Sequence, residues 1–308
     1  MSVLQWQLVA DSVARLFGAT VDPAPKPGVR FPDIAGHTST VSIPTRHGET
    51  TATVYRPEPV GDQKPPVYVN IHGGGFTVGH REQDDPWCRY LAARAGVVVV
   101  NTDYVLSPRH RFPAPVEQIY DVLRWASMPQ RDWDGTRLCV GGQSAGGSLA
   151  AAASRLALEN DGPPIALQVL HYAPLDLVTA TKDKLSPLGD AAVMRPWMSD
   201  VFDTAYIPDR RQRRDRLASP AWGNNGDDVQ GIAPALVVTA EYDRLRAEAA
   251  AYAEKLDAVG ALVAYHEVAG VDHGYNIMSE TPEAVAATRR TYDVIADHVA
   301  RATATTSG

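Results

Sequence analysis

Six residues, Gly142-Gln143-Ser144-Ala145-Gly146-Gly147, set a hydroxyl among glycines in the order G-x-S-x-G. The apolar run Leu138-Cys139-Val140 precedes them, and an alanine-rich, helix-forming stretch, residues 148–158, follows. Strand, sharp turn and helix are the context that lets such a serine sit in strained backbone at the top of a sheet. Small residues keep neighbouring side chains out of the turn. The helix N-terminus then points partial positive charge at an oxyanion developing there. The plain alternative is a Gly/Ser loop without chemistry. The flanking strand and helix favour a nucleophile at Ser144.

A serine hydroxyl is a weak nucleophile near neutral pH, so it needs a base, and the base needs an orienting group. In open parallel sheets such groups lie on loops beyond the C-terminal ends of strands. The chain order for this arrangement is nucleophile, acid, histidine. The run Leu236-Val237-Val238-Thr239-Ala240 leads directly into Glu241-Tyr242-Asp243. Asp243 lies deeper in that loop than Glu241 and is the preferred acid; its structural alternative is a cap for a helix starting near Leu245. Of nine histidines, His266, His273 and His298 follow Asp243. His266 falls inside an expected strand and His298 inside an expected terminal helix. His273, in a loop after the last strand, is left as the base.

The oxyanion needs preorganised donors. The backbone N–H of Ala145 is one, and the loop His72-Gly73-Gly74-Gly75-Phe76 supplies Gly73 and Gly74 as the others. A phosphate-binding loop fails on detail. The next glycine, Gly79, is one position late for a dinucleotide fingerprint, and no G-K-S/T follows. His72 is expected to brace this loop.

The elements that must position these groups follow from the pattern of the chain. Residues 38–43 and 51–56 read as an antiparallel hairpin. Apolar runs at 67–71, 97–102, 138–140, 165–172, 235–240 and 262–268 read as strands. Helical stretches at 86–94, 116–125, 148–158, 247–259 and 282–300 alternate with them. Continuous apolar strands alternating with helices indicate a parallel sheet covered on both faces. Residues 3–17 have helical spacing with Gly18 as a stop, followed by a Pro-rich linker at 21–32. That helix reads equally as a lid or as a plain edge helix. Residues 177–217 break the rhythm and read as a helical insertion. Arg210, Arg211, Arg213, Arg214 and Arg216 there read as a solvated helix face, with attraction of an acidic substrate as the other reading.

The 308 residues are 44% hydrophobic and 21% charged, enough for a large core, with a formal net charge of -7 that argues against nucleic acid or an anionic membrane as partner. Two cysteines, Cys88 and Cys139, give no disulfide framework, and no signal peptide or spanning segment is visible, so a cytoplasmic location is expected.

Together these motifs resemble the hormone-sensitive-lipase-like esterases, the bacterial family IV carboxylesterases of the α/β-hydrolase fold. The anchors are His72-Gly73-Gly74-Gly75, Asp103-Tyr104-Val105-Leu106-Ser107-Pro108 with Phe112-Pro113-Ala114, the Ser144 elbow, Glu241-Tyr242-Asp243-Arg244-Leu245-Arg246 and His273-Gly274-Tyr275. The resemblance covers most of the chain from about Thr38. It implies a mostly parallel eight-stranded α/β sheet with helices on both faces and a helical cap. It also implies the triad Ser144, Asp243 and His273, with oxyanion donors at Gly73, Gly74 and Ala145. The implied organisation is cap helices at 1–37, core at 38–176, a cap insertion at 177–218 and core at 219–308. A homodimer through the last strand, residues 262–268, is a further implication. Gln143 replaces the usual acidic residue before the serine, and Val105 and Arg109 replace an Arg and a Glu. Arg244 stands where proline is common, and Tyr275 replaces a frequent phenylalanine.

The expected activity is hydrolysis of short-chain acyl esters through an acyl-enzyme, with no metal and no organic cofactor. A deacetylase or amidase with the same triad is the alternative, and a binding protein that kept the fold but lost the chemistry is a third reading. Phe76, Trp87, Trp197, Phe202 and Tyr206 are expected to line the pocket for a small-molecule ester, with no nucleic-acid or integral membrane contact.

Overall fold

Among the described residues, eight strands form one sheet in the order β1-β2-β4-β3-β5-β6-β7-β8. They are β1 (His37–Thr45), β2 (Gly48–Arg56), β3 (Pro66–Ile71), β4 (Val98–Thr102), β5 (Asp134–Gln143), β6 (Ile165–His171), β7 (Ala235–Ala240) and β8 (Leu262–Val268). The structure is a computed structural model and describes residues 3–20, 24–30, 34, 37–59 and 62–304. Strand β2 runs antiparallel to β1 and β4; all other neighbours are parallel. Strands β3, β4 and β7 are buried along their whole length. That is why they read as unbroken apolar runs: helices cover both faces of the sheet, so neither side chain direction meets water.

One face carries α3 (Ala114–Ala126), α4 (Ala145–Glu159) and α6 (Arg246–Ala258), whose apolar residues join one cluster with the sheet. The other face carries α2 (Asp85–Ala95) and α8 (Pro282–Ala302), packed through Leu91, Trp87, Tyr292 and Ile295. A further short helix, α7 (Tyr275–Met278), was not expected from the sequence; four residues are too few to show a period.

Two expectations about the irregular regions change. Helix α1 (Gln7–Thr20) runs through Gly18 rather than stopping there. Glycine inside a helix costs only about 1 kcal/mol, and the Thr20 hydroxyl donates to the Leu16 carbonyl in the last turn. Of the linker at 21–32, residues 21–23 and 31–32 lie outside the described residues, while Pro27–Val29 form a 3-10 turn. The insertion between β6 and β7 contains one α-helix, α5 (Pro196–Tyr206), and short 3-10 turns. The arginine-rich stretch is solvated at Arg210, Arg211, Arg214 and Arg216, as expected, but it lies on turns rather than on an α-helix. Arg213 is buried and donates from Nε to the Ile207 carbonyl at 2.9 Å, Arg216 pairs with Glu159, and Arg214 lies over the Trp222 ring. Backbone carbonyls and aromatic rings there can use a guanidinium's planar donors.

Candidate active site

The strand-to-helix turn at the end of β5 holds Ser144 at φ 53°, ψ −122°, a region that a side chain enters only when its surroundings force it. The forcing is visible. A Cβ placed on Gly146 would lie 2.0 Å from the Ile71 carbonyl oxygen of β3. The turn therefore closes against the neighbouring strand only because position 146 has no side chain. The Ser144 N–H donates to the His171 carbonyl of β6 at 2.9 Å, which ties the elbow to the strand on its other side.

His273 Nε2 lies 2.9 Å from Ser144 Oγ, and its Nδ1 lies 2.7 Å from Asp243 Oδ2. The three groups are separated by up to 129 positions in sequence yet form one line. Asp243 Oδ1 also accepts from the Leu245 N–H at 3.0 Å. Its two oxygens thus serve both roles considered for it: one caps the turn before α6, the other faces the imidazole. Glu241, the rival acid, accepts instead from the Gly270 N–H and braces the loop that leads to His273. Burial opposes the charged imidazolium. The charge and hydrogen bond of Asp243, with Asp272 and Glu248 behind it, outweigh that, and His273 sits above its ordinary value.

Gly73, Gly74 and Gly75 face the same cavity as Ser144. Gly74 has φ 122°, and a Cβ there would meet the Val78 carbonyl at 2.0 Å, so the loop needs glycine to turn. His72 is buried and stacks on Tyr104 with centroids 4.4 Å apart, and its Nδ1 lies 2.7 Å from the Gly73 carbonyl. Burial pulls its pKa down to about 4, which keeps it a neutral brace. Ala145 is the first residue of α4, and its N–H has no acceptor within the helix. The cavity measures about 630 Å³ and is lined mainly by apolar groups.

A family model described as alpha/beta hydrolase fold matches residues 68–277. The carboxylesterase NlhH of Mycobacterium tuberculosis is 33% identical over 285 residues, spanning 90% of this chain and 85% of that protein. The carboxylic ester hydrolase LipN of the same organism is 33% identical over 279 residues, 88% of this chain and 73% of its own. The chain belongs to the α/β-hydrolase family. Within it, the chain is a hormone-sensitive-lipase-like carboxylesterase relative. The esterase of the archaeon Pyrobaculum calidifontis agrees in structure, with a TM-score of 0.79 and 30% identity over 99% of this chain and 93% of that one.

In this α/β hydrolase, most of the aromatics expected in the pocket lie elsewhere. Phe202 does line the cavity, with its ring against the backbone of Gly75. Trp197 stands outside it, stacked on Phe17 at 5.7 Å, and it is Phe17 that faces inward. Phe76 and Tyr206 stack on each other at 3.9 Å in the core and anchor α5 to the glycine loop. Trp87 lies on the opposite face of the sheet, near Tyr292, and donates from Nε1 to Asn70 Oδ1 at 3.1 Å. Aromatic type signals burial of a large apolar area and says nothing of which cavity or core receives it.

The sequence reading also missed lining residues of this hydrolase: Val193, Met194, Met198, Ile277, Met278 and Tyr172. Tyr172 had a usable signal, since it directly follows β6 on the side where the chemistry gathers. Its ring centroid lies 4.8 Å from that of His273, and its hydroxyl lies 2.6 Å from Gln143 Oε1 and also beside Asn276 Oδ1. A phenol has one proton to share between those two oxygens. The neutral side chain at 143 is thus paired below the nucleophile. The methionines carried no period or motif.

Proposed function

We infer that the protein is a serine carboxylesterase that hydrolyses short-chain acyl esters through an acyl-enzyme. Ser144 Oγ attacks the ester carbonyl as His273 Nε2 takes its proton. The imidazolium passes that proton to the departing alkoxide, and the alcohol leaves. Asp243 fixes the Nδ1–H tautomer and steadies the positive ring. The N–H groups of Gly73, Gly74 and Ala145 take the oxyanion, aided by the N-terminus of α4. Water, deprotonated by the same imidazole, then releases the acid. No step needs a metal or an organic cofactor. We read α1, the 24–30 segment and the 177–218 insertion as the cap over this site.

The hydrogen-bonded line from Asp243 through His273 to Ser144, at 2.7 and 2.9 Å, carries the reading. The partner is a small ester. Among the described residues no helix is long and apolar enough to cross a membrane. Both cysteines are buried and unpaired, which supports a reducing cytoplasm as the working compartment. Strand β8 ends the sheet order, with Val263 and Tyr265 exposed, which supports pairing of two copies along that edge. The deciding experiment is hydrolysis of p-nitrophenyl butyrate by wild type and Ser144→Ala. A loss of at least about ten-thousandfold in kcat is expected; an unchanged rate ends the assignment.

A further inference from the structure

Residues 184–193 run between β6 and α5 and end at Val193, which with Met194 forms part of the cavity wall. Apart from one 3-10 turn, Gly189–Ala191, this stretch has no regular structure of its own to hold it. It is held from below. The Arg244 guanidinium donates from Nη1 to the Lys184 carbonyl at 2.7 Å and from Nη2 to the Gly189 carbonyl at 2.6 Å. Ser186 Oγ donates to the Tyr242 carbonyl. The Val193 N–H donates to Asp272 Oδ2 at 2.7 Å. Every one of these anchors lies next to, or one residue away from, Asp243 or His273.

Arg244 makes the widest of these contacts. Its side chain is 8% exposed, so its two carbonyl bonds are shielded from water. The approach to the fully exposed Asp190 carboxylate at 3.9 Å adds little. A forked, planar donor can reach two carbonyls five positions apart; a lysine ammonium offers a single point, and a proline offers no donor at all. Asp243, Asp272 and Glu248 are the charges that hold His273 up.

We propose that Arg244 is a specificity-determining residue: by spanning the Lys184 and Gly189 carbonyls it fixes the Val193–Met194 wall and so limits how long a chain the bound ester can extend against it. This rests on the carboxylesterase reading above. The residue acts through the wall and does not touch the reacting atoms. Its loss changes fit and leaves protonation of the imidazole alone.

The test is kcat and KM for p-nitrophenyl acetate, hexanoate and decanoate with wild type, Arg244→Ala, Arg244→Lys and Ser186→Ala. Arg244→Ala is expected to keep acetate kcat/KM within about twofold and to raise decanoate kcat/KM by about fivefold or more, through KM. Arg244→Lys falls between it and wild type, and Ser186→Ala moves the same way by less. The acetate pH profile keeps its midpoint. An unchanged chain-length profile, an equal loss at every length, or a moved pH midpoint overturns the proposal. Should Arg244→Ala fail to fold, Arg244→Lys and Ser186→Ala decide it by the same comparison. The Ser144→Ala control separates the two failures: full activity in that variant removes the esterase reading itself.

Discussion

The floor and the roof of the cavity are held by different means. The floor stands on the sheet. Ser144, His273 and the glycine loop project from strand ends, and at Gly74, Gly142 and Gly146 the backbone is closed by main-chain contacts with no room for a single extra carbon. The roof is made of α1, the 24–30 segment, the irregular stretch before α5 and α5 itself. It is tied to the core by side chains rather than by a strand ladder: Arg244 on the Lys184 and Gly189 carbonyls, Arg111 with Asp11 of α1 and Lys184 with Glu248, together with the Lys26 N–H on the Ile277 carbonyl. It presents Met194 and Met198, whose unbranched thioethers fit many shapes. Bond-making chemistry tolerates only a fraction of an ångström of error, whereas binding an apolar chain tolerates much more. The molecule puts its rigidity under the chemistry and its adaptable residues over it.

That contrast can be broken first at the floor. Asp243→Asn keeps the size of the side chain but favours the wrong imidazole tautomer, so kcat should fall by about ten-thousandfold. A fall of less than about tenfold would mean that the Asp243–His273 contact of 2.7 Å is structural rather than catalytic.

A second, smaller effect comes from pH. His273 must be neutral to act as base, and its pKa lies above the ordinary value of about 6.5. Below that raised pKa, kcat/KM should fall about tenfold per pH unit, with the midpoint above 6.5. Stability runs the other way. A histidine raised on folding contributes stability that is fully present below its unfolded pKa and lost as pH rises through its folded one. Activity and the His273 contribution to stability therefore oppose each other across that window. A midpoint at or below 6.5 would show that burial outweighs the carboxylate.

The smallest effect belongs to the roof. Met198→Leu conserves volume at a wall that already adapts, and kcat/KM for acetate esters should change by less than about threefold. A loss of a hundredfold would place Met198 with the rigid floor and erase the distinction.

What was legible in the sequence divides along the same line. The strands of the sheet, the Ser144 elbow and the glycine loop are local: period, apolar runs and glycine spacing are consequences of backbone geometry within a few residues. His273 emerged by elimination because only certain loops lie at the strand ends. The pocket lining did not emerge. Phe76, Tyr206 and Trp87 are core residues, and nothing near them in sequence distinguishes a ring that faces a cavity from one that faces a helix.

The alternation of strands and helices along the chain and the glycine-flanked turn at Ser144 were thus decided by the sequence itself, because short-range sterics leave few alternatives. Which side chains line the cavity was decided only by tertiary structure. Asp243 can both cap a turn and hold His273, and Arg244 can reach carbonyls near position 186, only after distant segments have packed together. Contacts between residues far apart in the chain depend on the whole arrangement, and no local pattern of residues encodes them.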